Sequence, residues 1–239
     1  MKTTGKNIHL SNNYLLSFGY FKASVFVYRN NEKIPVKYIW GLLLGIIFFT
    51  SVSAKPEELA TKYSIHMSGV NVGEFSVTQT NDNEVVYIEA ITDIKVNLLF
   101  SYRIKYVQNT IYKQGVLQNS HIKTYKNGKL NSNMRIKFEN GLYLLVTDGD
   151  TAIFNDSITY SGSLLYFNEP KAIKRIYKER SAEMRNITPV SEHIYIIKDK
   201  KGRELNRYYY EDGILKYATL RNALGSLELK QILIKETND

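Results

Sequence analysis

The chain contains four histidines, His9, His66, His121 and His193, and none stands at His-x-His or His-x-x-x-His spacing. A metal centre built on one element needs such spacing. Any site using these imidazoles would have to be assembled from distant strands. Asp148-Gly-Asp150 with Asp156 superficially resembles a calcium loop. That loop needs glycine at its sixth position and glutamate at its twelfth, and here Ile153 and Thr159 stand there. The segment therefore reads as a hairpin turn with charged rims. Ser161-Gly-Ser163 lacks the Gly-x-Ser-x-Gly frame of a nucleophile elbow, and no phosphate-cradling glycine loop occurs. Glu57-Glu58 falls where a solvated linker is expected. Paired carboxylates drawn from separate strands leave no local signal. The chain has no cysteine, which removes thiol catalysis, disulfides and thiolate zinc sites. We assign no catalytic residue, no metal ligand and no cofactor, leave the ligand-binding residues unknown, and expect a protein that is not an enzyme.

Tyrosine is the compositional outlier, with 19 in the chain. Tyr102, Tyr106, Tyr112, Tyr125, Tyr143, Tyr160, Tyr166 and Tyr208 to Tyr210 recur through the body. Two readings are open. One is β-propensity with half-buried rings whose hydroxyls reach water. The other is an aromatic-lined concave face that holds a lipid, a glycan or a peptide.

The elements that would position these residues are strands. Met134-Arg-Ile-Lys-Phe-Glu139, Tyr102-Arg-Ile-Lys-Tyr106 and Leu227-Glu-Leu-Lys230 alternate apolar and charged residues, as a sheet with one buried face requires. Glu84 to Glu89, His193 to Ile197 and Asn206 to Tyr210 are rich in β-branched and aromatic residues. Asn127-Gly128, Asn140-Gly141, Asp148-Gly149 and Asp212-Gly213 suit two-residue hairpins, and Lys201-Gly202 is a weaker case. Successive hairpins imply an antiparallel meander, because parallel strands need long crossovers. Part of Asp156 to Pro170 is expected to form a short helix ending before Pro170. Leu59 to Tyr63 reads as a frayed helical opening. Lys171 to Arg185 stays ambiguous, since Ala172, Ile173, Ile176 and Tyr177 fit a helical stripe. The expected fold is mostly β: a single antiparallel meander sheet of eight to eleven strands, strongly curved into a half-barrel or open barrel, with one or two short helices.

The formal charge of +9 is unevenly spread. Lys2, Lys6, Lys22, Arg29, Lys33 and Lys37 face only Glu32 in residues 1–54, so 26 basic and 22 acidic residues remain beyond them. Those alternate with apolar residues, which describes a solvated sheet face and not a nucleic-acid footprint. The run Ile39 to Phe49 is apolar, follows Lys33 and Lys37, and leads into Thr50-Ser-Val-Ser-Ala54. A positive flank, a short apolar stretch and small residues at Val52 and Ala54 make a secretory signal, with cleavage after Ala54. An uncleaved anchor in the inner membrane over residues 38–54 is the alternative. Residues 34–54 are thus a signal peptide and 55–239 a single β-rich domain. Residues 1–33 are an extension that is disordered or lies upstream of the true start, near Ile34 or Val36. Without cysteine there is no lipoprotein attachment.

The body resembles an uncharacterised family of exported β-sheet proteins of Gram-negative bacteria, classed as a domain of unknown function. The resemblance rests on Tyr63-Ser-Ile-His-Met-Ser-Gly-Val-Asn-Val-Gly73, on Tyr102 to Leu117 and on Leu164-Leu-Tyr-Phe-Asn-Glu-Pro170. It continues in Tyr210-Glu-Asp-Gly-Ile-Leu215 and Leu224-Gly225. It implies no catalytic residues. A signal followed by a long meander is also loosely similar to the half-barrel carriers of periplasmic lipoproteins. The expected function is that of an exported, periplasmic binding or carrier module for a lipidic or extended ligand. The alternative is a structural or protein-interaction module of the cell envelope. Lipid, glycan or an envelope protein are the expected partners, and nucleic acid is not. Membrane contact is expected only through the signal segment, if it stays uncleaved.

Overall fold

The computed structural model describes residues 56–97, 101–222 and 225–232. The apolar run, the expected cleavage position at Ala54 and the stretch 1–33 read as an extension lie outside the described residues. So does Leu224 of the resemblance.

The described residues form one 14-stranded antiparallel sheet. In chain order its first eight strands are β1 (Glu57–Met67), β2 (Val70–Asp82), β3 (Val85–Asn97), β4 (Ser101–Lys113), β5 (Val116–Lys126), β6 (Lys129–Glu139), β7 (Leu142–Thr147) and β8 (Asp150–Phe154). The remainder are β9 (Arg175–Lys178), β10 (Glu183–Ser191), β11 (Ile194–Lys198), β12 (Glu204–Glu211), β13 (Ile214–Asn222) and β14 (Gly225–Ile232). The chain starts in the middle of the sheet and lays β1 to β8 outward to one edge. It then crosses to the opposite edge and returns from β9 to β14, which pairs with β1. The sheet is not closed.

Period-two alternation forms these strands as expected. Ile136 of β6 is buried between exposed Arg135 and Lys137, and Leu229 of β14 is buried beside exposed Lys230. The Asn-Gly and Asp-Gly pairs at 127, 140, 148 and 212 make the hairpin turns, and both residues of each have positive φ. Register shifts near Ile65, Ile111, Thr124 and Tyr209 mark bulges, which bend and twist the sheet. Gly73 serves the same bend. A Cβ there would come within 2.1 Å of the Asp93 carbonyl oxygen across the β2–β3 ladder.

Two expectations are corrected and one ambiguous stretch, Lys171 to Arg185, is resolved. The strands number 14, because turns such as Ser68-Gly69 and Gln114-Gly115 lack the Asn or Asp that marks a hairpin. Leu59 to Tyr63, and Glu57-Glu58 with them, lie in β1, where the ladder with β2, joined by β14 from Lys62 onward, overrides the helical spacing. Lys171 to Arg185 is no helix but β9, a 3-10 turn at Glu179–Ser181 and the start of β10. The expected short helix does form, as a 3-10 turn at Gly162–Tyr166 inside the crossover.

The crossover fills the concave side. Ile158, Tyr160 and Leu165 are buried with Tyr63, Phe75, Tyr112, Tyr143 and Tyr208 of the strands in a single core cluster. The Tyr166 ring sits 4.7 Å from that of Phe75 and 6.0 Å from that of Tyr63. Curvature also brings the sheet ends together, with the rings of Phe154 in β8 and Tyr177 in β9 5.8 Å apart.

Candidate functional site

The densest polar constellation of the interior surrounds Glu179, directly after β9 and only 5% exposed. Its Oε1 accepts hydrogen bonds from the Ser161 hydroxyl, from the Ser163 N–H at 3.0 Å and from Gln108 Nε2 at 3.2 Å. Its Oε2 accepts from the Gly162 N–H at 3.1 Å. The carboxylate thus satisfies the first N–H groups of the 3-10 turn, donors that a helical start leaves unpaired. Gly162 leaves room for this approach, since a Cβ would stand 2.8 Å from Glu179 Oε2 and the carboxylate would have to shift.

Around this pair the network extends across two strands. Tyr112 of β4 donates to Ser161 Oγ at 2.6 Å, and Ser163 Oγ lies 2.9 Å from the same atom. Gln108 donates to Thr110 Oγ1 at 3.0 Å, and Thr110 and Ser120 hydroxyls are 2.9 Å apart. Tyr106 donates to Gln108 Oε1 at 2.8 Å. Burial, reinforced by the Glu179 charge, pushes the Tyr106 and Tyr112 hydroxyls far above their ordinary range. Ser161 is 0% exposed, so the chemistry of this cluster is to tie the crossover to the β9 edge through Glu179 and to β4 through Tyr112 and Gln108.

A second carboxylate anchors the far end of the crossover. Glu169 Oε1 accepts from Tyr195 at 2.8 Å and from His193 Nδ1 at 3.0 Å. Burial alone would raise this carboxyl, but the bonds from Tyr195 and His193, with the nearby Lys171 charge, hold it below its ordinary range. Burial and the same carboxylate push the Tyr195 hydroxyl up to about 12. Asn168 donates to Gln79 of β2 at 3.0 Å.

The expected site residues are distributed as follows. His66 lies in β1 and His121 in β5, where its Nε2 contacts Asn133 Oδ1 at 2.7 Å. His193 occupies a turn and not a strand, with φ of 61°. Among the described residues no group of three or more His, Asp or Glu could hold a metal ion. Asp148 accepts from the Asn133 N–H at 2.7 Å and caps its hairpin, while Asp156 pairs with Arg175. Of the two readings of the tyrosines, that of half-buried rings with hydroxyls in water fails at the buried ones. Tyr63 donates to the Leu215 carbonyl and Tyr143 to that of Leu117, both inside the core. Tyr210 OH is buried without a partner. Sequence reasoning missed Glu179 and Glu169. Ser161-Gly-Ser163 ahead of a buried-looking stretch was the available signal for the first.

The two sheet edges differ. At β9, Tyr177 donates its N–H to the Tyr160 carbonyl at 2.9 Å, so the crossover covers that edge. β8 is the opposite edge, and among the described residues only β7 pairs with it. Thr147 and Asp150 close the two-residue Asp148-Gly149 turn. Such a closing pair exchanges ladder bonds, so Asp150, Ala152 and Phe154 face β7 while Thr151 and Ile153 turn N–H and C=O outward. No charged residue lies between Thr151 and Phe154, and Ile153 is 70% exposed.

Fold and interior together define a strongly curved, open antiparallel sheet plugged by its own crossover. The chain belongs to a family defined as a domain of unknown function, DUF6134, whose model matches residues 63–231. Among solved structures it is similar to a beta-barrel-like protein of the DUF1849 domain from Brucella abortus. Identity is 13% and the TM-score 0.48, over 78% of this chain and all 100% of that one. No curated protein matches the sequence.

Proposed function

We propose that the protein is an exported envelope protein that works by protein–protein contact, receiving an extended strand of a partner along the β8 edge. The observation that carries this is the asymmetry of the edges. Natural sheets blunt their edges with charge, proline or a covering segment. The β9 edge is covered, whereas β8 presents uncharged backbone donors and acceptors beside an exposed isoleucine. Strand addition uses main-chain bonds for affinity and alternate side chains for specificity. Export rests on the apolar run and the small residues before Ala54 in the sequence. The carrier reading is less favoured, because Ile158, Leu165 and Tyr166 already occupy the concave side.

Site-specific photo-crosslinking in the native host tests this reading, with the probe at Thr151 and a control probe at exposed Lys230. A single adduct of defined mass at Thr151, absent at Lys230 and abolished by Ile153→Pro, is the expected result. That substitution removes an outward N–H while leaving the β7 ladder donors in place. An adduct unaffected by Ile153→Pro, or none at all, would overturn the proposal.

A further inference from the structure

The outer face of β4, β5 and β6 is basic. From residue 103 to 139 it carries Arg103, Lys105, Lys123, Arg135 and Lys137 against one acid, Glu139. Glu139 pairs with Lys137, and Asp93 of β3 pairs with Arg103. Lys105, Lys123 and Arg135 make no ion pair among the described residues. Lys95 stands directly opposite Arg103, which leaves the Asp93 carboxylate to offset two neighbouring cations besides Lys105. Lys105 stands between Tyr125 of β5 and Asp93 of β3, with which it makes no ion pair, and Lys123 faces Val107. Between the start of β4 and the Asn127-Gly128 hairpin lies an open groove of about 380 Å³, lined by Arg103, Lys105, Val107, Tyr125 and Gly128.

Beside the basic strip the same face turns aliphatic. Leu144 lies opposite Lys137 on one side and Ile153 on the other. Leu142, Leu144 and Ile153 are 38%, 36% and 70% exposed. Polyanions such as acidic glycans would match the charge but leave this ridge in water. A lipid surface matches both, with headgroups for the lysines and an acyl boundary for the ridge.

We propose that the outer face of β4 to β8 docks on an anionic lipid bilayer, with a phosphate headgroup in the Arg103–Lys105–Tyr125 groove and Leu142, Leu144 and Ile153 against the acyl boundary. This is a membrane contact separate from the one that residues 38–54 would make if they stayed uncleaved. Basic side chains near an anionic surface each contribute roughly fivefold to partitioning.

The test is co-sedimentation of the full chain with neutral phosphatidylcholine vesicles and with vesicles containing about one-third phosphatidylglycerol. Because the run from Ile39 to Phe49 and the six basic residues ahead of it can bind anionic lipid unaided, the deciding readout is the change in the anionic-over-neutral binding ratio when the β4 and β5 lysines are reversed. The expected ratio is well above one and falls toward one in high salt, where charges are screened. Lys105→Glu with Lys123→Glu should lower it by about 25-fold or more, and the paired Gln variants by roughly fivefold per lysine. Both lysines are outward-facing, so unchanged circular dichroism is expected and verifies folding. A ratio near one for the wild type, or one unchanged by charge reversal, would overturn the proposal. So would retention on a sulfated polysaccharide without preference for anionic vesicles, which would reassign the face to an acidic glycan.

Discussion

The buried tyrosines should make this protein unfold abruptly in mild alkali. Burial is the first cause raising the hydroxyls of Tyr63, Tyr106, Tyr112, Tyr160, Tyr166, Tyr177, Tyr208 and Tyr210 far above their ordinary range. These eight stay protonated in the folded state, whereas the unfolded chain ionises them near pH 10. A raised folded pKa contributes stability that is whole below the unfolded value and lost as pH climbs toward the folded one. Eight such groups cost the folded state about 3 kcal/mol at pH 10, about 7 at pH 10.5 and about 11 at pH 11. Domain stabilities of about 5–15 kcal/mol are exhausted within that interval. The assay is an equilibrium titration from pH 8.5 to 11.5 that follows tyrosinate absorbance at 295 nm and far-ultraviolet circular dichroism together. The steep absorbance rise should coincide with loss of the sheet signal. Tyrosinate formation by all eight with the sheet signal intact would refute the reasoning.

Tyr210→Phe removes a buried hydroxyl that has no partner and should raise stability by about 1 kcal/mol in urea unfolding. Tyr63→Phe leaves the Leu215 carbonyl unsatisfied and should lower it by about 1–3 kcal/mol. Glu179→Ala strands the Gly162 and Ser163 N–H groups and should cost at least about 3 kcal/mol, visible as faster exchange of the 158–167 amides. Gly73→Ala puts a methyl into the Asp93 carbonyl and should cost about 1–3 kcal/mol, measured by thermal unfolding. On the acid side, the lowered Glu169 carboxyl contributes stability that is present above the unfolded value, near pH 4.5, and lost as pH falls through the folded one. Glu169→Gln should therefore flatten the decline of thermal stability below about pH 4.5, and an unchanged acid limb would refute that assignment.

The sheet was legible wherever side-chain alternation and turn chemistry agree, as in Met134 to Glu139 between two Asn-Gly turns. It was not legible where the turn carries an unusual residue at positive φ. Ser68, Gln114 and His193 adopt φ of 49°, 51° and 61°, and none announces a hairpin. Leu59, Ala60 and Tyr63 carry helical spacing, yet β1 is paired with β2, joined by β14 from Lys62 onward, and the ladder decides its conformation. The interior network was illegible for a different reason. Gln108 and Glu179 are 71 residues apart, and Tyr112 and Ser161 are 49 apart. Such pairs share no local pattern, because the crossover alone brings them together.

That crossover also explains why function is sought on the outside. Glu179 holds the 3-10 turn from one end of the sheet, while Tyr112 and Gln108 hold the same cluster from β4. Opening the concave side to a ligand would separate a carboxylate from four donors and expose tyrosines whose burial the fold depends on. The β8 edge and the outer face carry no such cost, since Thr151, Ile153, Leu144 and Lys105 already meet solvent. The two surfaces share the β7–β8 hairpin but make separable demands. Strand addition needs the outward backbone groups of Thr151 and Ile153, and bilayer docking needs the charges on β4 and β5. Ile153→Pro should therefore abolish the crosslink while leaving most of the anionic-over-neutral ratio, and Lys105→Glu with Lys123→Glu should do the reverse. Loss of both readouts in either variant would mean a single shared surface, and the two proposals would then have to be merged into one.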